Sequence, residues 1–244
     1  MPSTTGFTLW LTGMHGTGKS TYASYIAARL RQVGRNVEIL DEGELGDDLW
    51  QGLGDSKEER STIVRRMGFV AQLLTRNNVA VIVPCVSPYK TGREENRRVI
   101  SKYVEVYVDC PTEKLIERDT TGKYKKALSG EIPNFIGITE PYEPPTSPEV
   151  TIHSDTESVE DGAMKIFQSL LDLSLVTPEE LKIITGKKMK ANPLPKKARQ
   201  AETAPAKPEP KAATGKGAKA RPATRAARVA KPAAAAKKGP KRSK

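Results

Sequence analysis

The sequence predicts an α/β protein: a parallel sheet with helices on both faces, followed by a C-terminal tail expected to be disordered. Three observations carry this. Strand-like and helix-like patterns alternate through roughly the first 170 residues. The strand-like runs are almost wholly apolar, as strands covered on both sides are, and VAVIVPCV (79–86) is the plainest case. From about Asn192 the chain becomes Ala, Lys, Pro and Arg, with almost no large apolar residue to bury.

FTLWLT (7–12) is a short, β-favouring apolar run and reads as the first strand. Gly13-x-x-x-x-Gly18-Lys19-Ser20 follows, then apolar residues at helical spacing: Ala23, Ile26, Ala27, Leu30 and Val33. Strand, Gly-rich turn and helix together are the context of a P-loop, so the fold is of the P-loop NTPase type. The glycines let backbone N–H groups curl around an anion, and the helix opening near Gly18 adds its positive end. Lys19 reaches the β- and γ-phosphates of a nucleotide, and the Ser20 hydroxyl ligates Mg²⁺. Gly13, Met14, His15, Gly16, Thr17, Gly18, Lys19, Ser20 and Thr21 are therefore the expected ATP-binding set. His15, inside the loop, is expected to line the site.

VEILD (37–41) is the second strand, 79–86 the third, YVEVYVDC (103–110) the fourth and EVTIHSD (149–155) the fifth. Ser56 with Glu59 three residues on is a capping-box signature. It opens a helix whose stripe runs through Ile63, Met67, Val70, Leu73 and Leu74. Pro111 suits the first position of a helix after the fourth strand. Ser158 opens another, and Thr177-Pro178-Glu179-Glu180 a last short one. Ligands of such sheets sit at the carboxyl ends of the strands. Gly13, Asp41, Ser87 and Cys110 all fall there. Residues 119–148 break the alternation, and their length, with lysines beside Tyr124 and Phe135, predicts a lid. A lid would keep water from the phosphates.

The whole chain holds 40 Lys+Arg and 29 Asp+Glu, a net +11. From Lys187 onward lie 19 of the basic and 2 of the acidic residues, which leaves residues 1–186 with 21 basic and 27 acidic, or −6. The boundaries that follow are a P-loop domain over 1–186 and a basic tail over 187–244. Cys85 and Cys110 lack framework or metal spacing and read as reduced core thiols. No run approaches 18 apolar residues and MPSTTGF is no signal sequence, so a cytoplasmic protein without a membrane segment is expected.

GFTLWLTGMHGTGKST (6–21), VPCVSPYK (83–90), VEVYVDCPTEKLIERD (104–119) and above all GKYKKALSGEIPNFIGITEPYEPPTSPE (122–149) together resemble the adenylylsulfate (APS) kinase family. The resemblance spans roughly residues 6–175. It implies an ATP- and Mg²⁺-dependent phosphotransferase that phosphorylates the 3′-hydroxyl of adenosine 5′-phosphosulfate in sulfate assimilation, and a homodimer. It makes Lys19, Asp41 and Ser87 the expected catalytic residues, Ser87 falling at a position associated with a phosphoserine. Asp41 would orient the acceptor hydroxyl or take its proton. Arg60, Ser87, Lys123 and Phe135 would bind the acceptor. Read from the residues alone, Arg118 either contacts ATP or simply solvates the lid.

The chain departs from that family on the acceptor side. Gly43 stands where an Asp is usual, Gly46 for an Arg, Asp55 for a Phe that stacks on the acceptor adenine, Ile63 for an Asn and Thr121 for a Lys. Losing the Arg removes a charged fork for an anion. The loop from Asp41 to Asp48 holds five carboxylates and no basic residue. Two readings follow. Either Glu42, Glu44, Asp47 and Asp48 face solvent, or the acceptor is another small hydroxyl compound. A third reading concerns the tail, whose composition resembles that of linker histones. A positive tail binds polyanions weakly and salt-sensitively. The protein would then be a nucleotide-binding, nucleic-acid-associated one acting through its tail.

Overall fold

The computed structural model describes residues 5–186, apart from the side chains of Asp47 and Asp48. The expected tail over 187–244 lies outside the described residues. Five strands, β1 (Phe7–Thr12), β2 (Val37–Ile39), β3 (Ala80–Pro84), β4 (Tyr103–Asp109) and β5 (Val150–His153), form one sheet in the order β2-β3-β1-β4-β5. Every pairing is parallel. The strand order switches sides at β1, so the loop at its carboxyl end lies at the switch point where such sheets bind ligands.

β1 is central, and its residues alternate between two cores. Phe7, Leu9 and Leu11 face α1 (Lys19–Gln32), α7 (Val159–Asp172) and α8 (Pro178–Thr185), with Val104, Val106 and Val108 of β4 beside them. Trp10 faces α3 (Lys57–Arg76), with Val81, Val83 and Cys85. α4 (Lys90–Val99) lies against α3. Helices thus cover both faces, as the sequence predicts. Both cysteines are buried and free. No helix of the described residues is long and apolar enough to cross a membrane.

Local chemistry sets the helix starts. Ser56 and Thr177 each form a full capping box, with Glu59 and Glu180. Ser158 caps α7 through Asp161 N. Glu180 does a second thing: it pairs, buried, with Arg35 at 2.7 Å. The Arg35 guanidinium also donates to Thr5 O and Leu175 O. That knot ties α8 to the amino ends of the strands.

Some expected boundaries move. The second strand was expected to reach Asp41, but the ladder ends at Ile39 with one further bond from Leu40 N to Ile82 O, and the chain then turns toward α1. The third strand stops at Pro84, the fourth at Asp109 and the fifth at His153. Pro111 is the N-cap of α5 (Thr112–Arg118), one residue outside its first turn. Two short helices were not expected: α2 (Gly46–Leu49) and α6 (Lys123–Leu128), the latter inside the lid.

Candidate active site

The loop from Gly13 to Gly18 joins β1 to α1. A side chain at Gly13 would collide with the Val108 carbonyl of β4, so only glycine lets the chain pass. Gly16 and Gly18 take φ values of 78° and 91°, and Gly18 is the N-cap of α1. The first-turn N–H groups of α1 have no intrahelical acceptors and face the loop.

Lys19 is buried and folded back on its own loop. Its Nζ donates to Gly13 O at 2.9 Å and to Met14 O at 2.7 Å. Burial pulls its pKa down to about 8, against the carboxylates of Glu42 and Asp41, which favour the ammonium. Thr17 Oγ1 donates to Met14 O. Ser20 Oγ, at the mouth of the loop, donates to Asp41 Oδ2 at 2.7 Å, and Gly43 N donates to Asp41 Oδ1 at 2.8 Å. Lys19, Ser20 and Asp41 are thus brought together. Thr21 lies exposed on the first turn. Ser20 and Asp41 offer oxygen donors only, which suits Mg²⁺, an ion that keeps much of its shell for water and phosphate. Among the described residues no cluster of three or more His, Cys, Asp or Glu could hold a metal.

The segment expected to be a lid packs onto this loop. Tyr124, Ala127 and Phe135 form a small core with Cys110 and Leu115, and Met14 of the P-loop packs against it. Tyr124 Oη donates to His15 O at 2.7 Å. Gly137, at φ 91°, lies so close to Met14 that a Cβ there would sit 2.5 Å from its Sδ. The His15 imidazole stacks on Phe135 with centroids 5.4 Å apart. Burial, then the charges of Lys19, Lys123 and Arg60, lower its pKa to about 4, so the ring is neutral at physiological pH.

Ser87 differs from expectation. It is 1% exposed. Its Oγ accepts from Trp10 Nε1 at 3.0 Å and donates to Thr12 Oγ1 at 2.9 Å, and Thr12 Oγ1 also lies 2.8 Å from Tyr142 Oη. Arg93 donates to Ser87 O and Glu143 O while its Nε pairs with Glu105 at 3.0 Å. The hydroxyl expected to touch the acceptor is thus consumed inside the protein. The sequence signal for this was the polar parity of Thr8, Trp10 and Thr12 on one side of β1; nothing local pointed to Tyr142.

The acceptor-side residues are rearranged too. Phe135 is 5% exposed and closed off behind His15, so as it stands it offers no free stacking face. Arg60 NH2 donates to Asp55 Oδ1 at 2.8 Å and to Asn134 O at 2.9 Å. Lys123 opens α6 and acts on His15 through its charge. Arg118 donates to Ser154 O at 3.0 Å, at the rim formed by the loop after β5. Glu42 does not face solvent: its Oε2 accepts from Val86 N at 2.8 Å. Glu44 is exposed.

A parallel sheet with a P-loop after its central strand, a lysine in that loop, a serine–carboxylate pair at its mouth and a lid docked over it define a nucleoside-triphosphate phosphotransferase. The family model for adenylylsulphate kinase matches residues 5–153. The adenylyl-sulfate kinase of Rippkaea orientalis is 48% identical over 168 residues, 69% of this chain and 93% of that protein. The Mycobacterium tuberculosis APS kinase in complex with AMPPNP and APS is 34% identical, with a TM-score of 0.65 over 68% of this chain and 97% of that one. A hexameric APS kinase from Thiobacillus denitrificans is 29% identical, with a TM-score of 0.54 over 70% of this chain and 30% of its own. The chain belongs to the adenylylsulphate kinase family, phosphotransferases that act on a hydroxyl group.

Proposed function

We propose that the protein transfers the γ-phosphoryl group of ATP to the 3′-hydroxyl of adenosine 5′-phosphosulfate, giving 3′-phosphoadenosine 5′-phosphosulfate for sulfate assimilation. One observation carries the chemistry: Ser20 Oγ and Asp41 Oδ2 lie 2.7 Å apart at the mouth of the loop that holds Lys19. Phosphoryl transfer needs little covalent help from the protein; positioning and charge neutralisation do most of it.

Ser20 and Asp41 would hold Mg²⁺, which supplies charge neutralisation at the β- and γ-phosphates. Lys19 and the first-turn amides of α1 cradle the same phosphates. Asp41, fixed through Gly43 N, orients the acceptor hydroxyl and stands ready for its proton. Arg118 borders the nucleotide. The lid shields the phosphates from water, so that ATP is not hydrolysed in place of transfer. Arg60 and Lys123 supply positive charge for the acceptor's phosphate and sulfate. The reading extends to self-association, at least as a homodimer, to a cytoplasmic location, and to weak polyanion binding by residues 187–244.

The test is ADP release with MgATP in the presence and absence of adenosine 5′-phosphosulfate, with Lys19→Ala as blank. Stimulation together with a 3′-phosphorylated product is the expected result. ATP binding without stimulation by this acceptor would sink the reading and send the search to other hydroxyl-bearing metabolites.

A further inference from the structure

The turn after β3 is held from several sides. Cys85 N donates to Leu11 O of β1 at 3.0 Å. The Val86 peptide is gripped at both ends: its N–H donates to Glu42 Oε2 at 2.8 Å and its carbonyl accepts from Thr12 Oγ1 at 2.9 Å. Pro88 O accepts from Glu143 N at 2.9 Å. Arg93, on α4, donates to Ser87 O and, at 2.5 Å, to Glu143 O. The end of β1, the loop that carries Asp41, α4 and the return arm of the lid (residues 141–144) thus meet at one turn. Glu143 answers the contact, because its Oε2 accepts from Lys90 N at 2.8 Å. The arm thereby caps the helix that carries Arg93, whose own N-cap residue, Tyr89, supplies no side-chain cap.

We propose that Arg93 is a positioning residue for phosphoryl transfer: by binding Ser87 O and Glu143 O at once it locks the return arm of the lid to the turn beside the P-loop, and so keeps water from taking the phosphoryl group in place of the acceptor. This rests on the lid's task in the transfer proposed above and not on which acceptor is used. Arg93 is 2% exposed, and each guanidinium nitrogen has a partner, Nε pairing with Glu105 at 3.0 Å. Pairing with one carboxylate asks for a single charged nitrogen, which a lysine supplies. Reaching one carboxylate and two carbonyls on separate segments asks for the rigid planar fork of an arginine. A buried ion pair adds little stability by itself, so the two carbonyl bonds are what the fork contributes. The guanidinium also lies 5.7 Å from the centre of the Tyr142 ring, whose hydroxyl meets Thr12 at the end of β1. The arm is thus tied to the strand that feeds the P-loop as well as to α4. With the arm loose, a water oxygen bonds to the γ-phosphorus as the bond to the β,γ-bridging oxygen breaks, and ATP and water give ADP, inorganic phosphate and a proton.

The experiment measures inorganic phosphate and ADP release side by side in the full-length chain, with MgATP alone and with adenosine 5′-phosphosulfate added. Arg93→Lys keeps a charge opposite Glu105 but cannot fork to both carbonyls. It is expected to raise phosphate release, alone and as a share of the ADP formed with acceptor, about fivefold, the worth of one lost hydrogen bond. Arg97→Gln is the control for stability alone, because the hydrogen bonds of Arg97 go to Glu105 and Glu149 and not to the turn or the arm. It is expected to lower the thermal midpoint and leave phosphate release where it was. Phosphate release unchanged in Arg93→Lys, or raised equally in Arg97→Gln, would overturn the proposal. Should Arg93→Lys fail to fold, Glu143→Gln decides. That variant weakens the cap on Lys90 N without removing a buried cation, and it is expected to raise phosphate release about twofold; no rise there overturns the proposal as well. If the parent chain ignores adenosine 5′-phosphosulfate, the functional reading fails, while phosphate release by Arg93→Lys with MgATP alone still decides this inference.

Discussion

Thr12 Oγ1 lies 2.8 Å from Tyr142 Oη, so the last residue of the central strand is joined to the return arm of the lid. The same hydroxyl donates to Val86 O at 2.9 Å and accepts from Ser87. Ser87 is therefore a joint in a buried network, held at φ 37°. Ser87→Ala removes the acceptor of the Trp10 indole N–H. Leaving that donor unpaired is expected to cost about 1–3 kcal/mol of stability. Urea unfolding measures this. A variant as stable as the parent would show that the network carries no weight.

Asp55 holds Arg60, a cation that the proposed acceptor needs. The carboxylate is largely exposed, so the pair is worth little by itself, about 0.2–1 kcal/mol. Asp55→Asn is expected to release the guanidinium and lower the acceptor KM, by about 1.4- to fivefold on that scale. The ATP KM should stay put. A raised acceptor KM would mean that Asp55 positions Arg60 and does not compete for it.

His15 also predicts a pH effect. Its pKa is lowered in the folded state from 6.5 to about 4, so the unfolded chain binds the proton more readily. Stability from this group is complete above pH 6.5 and is lost as the pH falls from 6.5 toward 4. His15→Gln, which does not titrate, should flatten that part of the profile. Thermal unfolding from pH 4 to pH 7 in both proteins checks it; parallel curves would contradict the expectation.

Arg35 and Glu180 form a bidentate pair with both side chains under 10% exposed. Removing one partner leaves the other buried and unpaired, at an expected cost of about 3–5 kcal/mol. Glu180→Gln keeps the shape and tests the charge. Because the pair sits at the amino ends of the strands, away from the P-loop, loss of stability is expected without a change in either KM. A selective change in KM would show that α8 reaches the site.

The parts of this molecule legible in the sequence are those whose causes are local. The strand–loop–helix around Lys19, the capping boxes at Ser56 and Thr177 and the apolar strands depend on neighbours a few residues away. Asp41 is close to this class, because the end of a strand predicts the carboxyl edge. The burial of Ser87 was not legible because its partners, Trp10 and Thr12, lie 77 and 75 residues away in the chain. Phe135 and His15 are separated by three of the five strands in sequence, and nothing in either segment signals that their rings meet. α6 was missed because KYKKAL is a helix of only 6 residues among Gly- and Pro-rich ones, held by Tyr124 and Ala127 packing on Leu115. The inward turn of Glu42 was hidden for a similar reason: its partner is a backbone N–H on another strand's end.

Lys19 rests on two carbonyls of its own loop, Gly13 O and Met14 O. An incoming ligand must replace both bonds, or leave a buried ammonium short of an acceptor. A single phosphate group offers its oxygens over one small region and meets the ammonium from one side. Two adjacent phosphates can chelate the ammonium and recover both. The loop in this way counts phosphates before any base is read. Inorganic phosphate and AMP are expected to leave the lysine where it is, whereas ADP and ATP draw it out, and a titration series across the four would show a step between one phosphate and two. Selectivity for the donor then begins with a comparison the protein makes against itself.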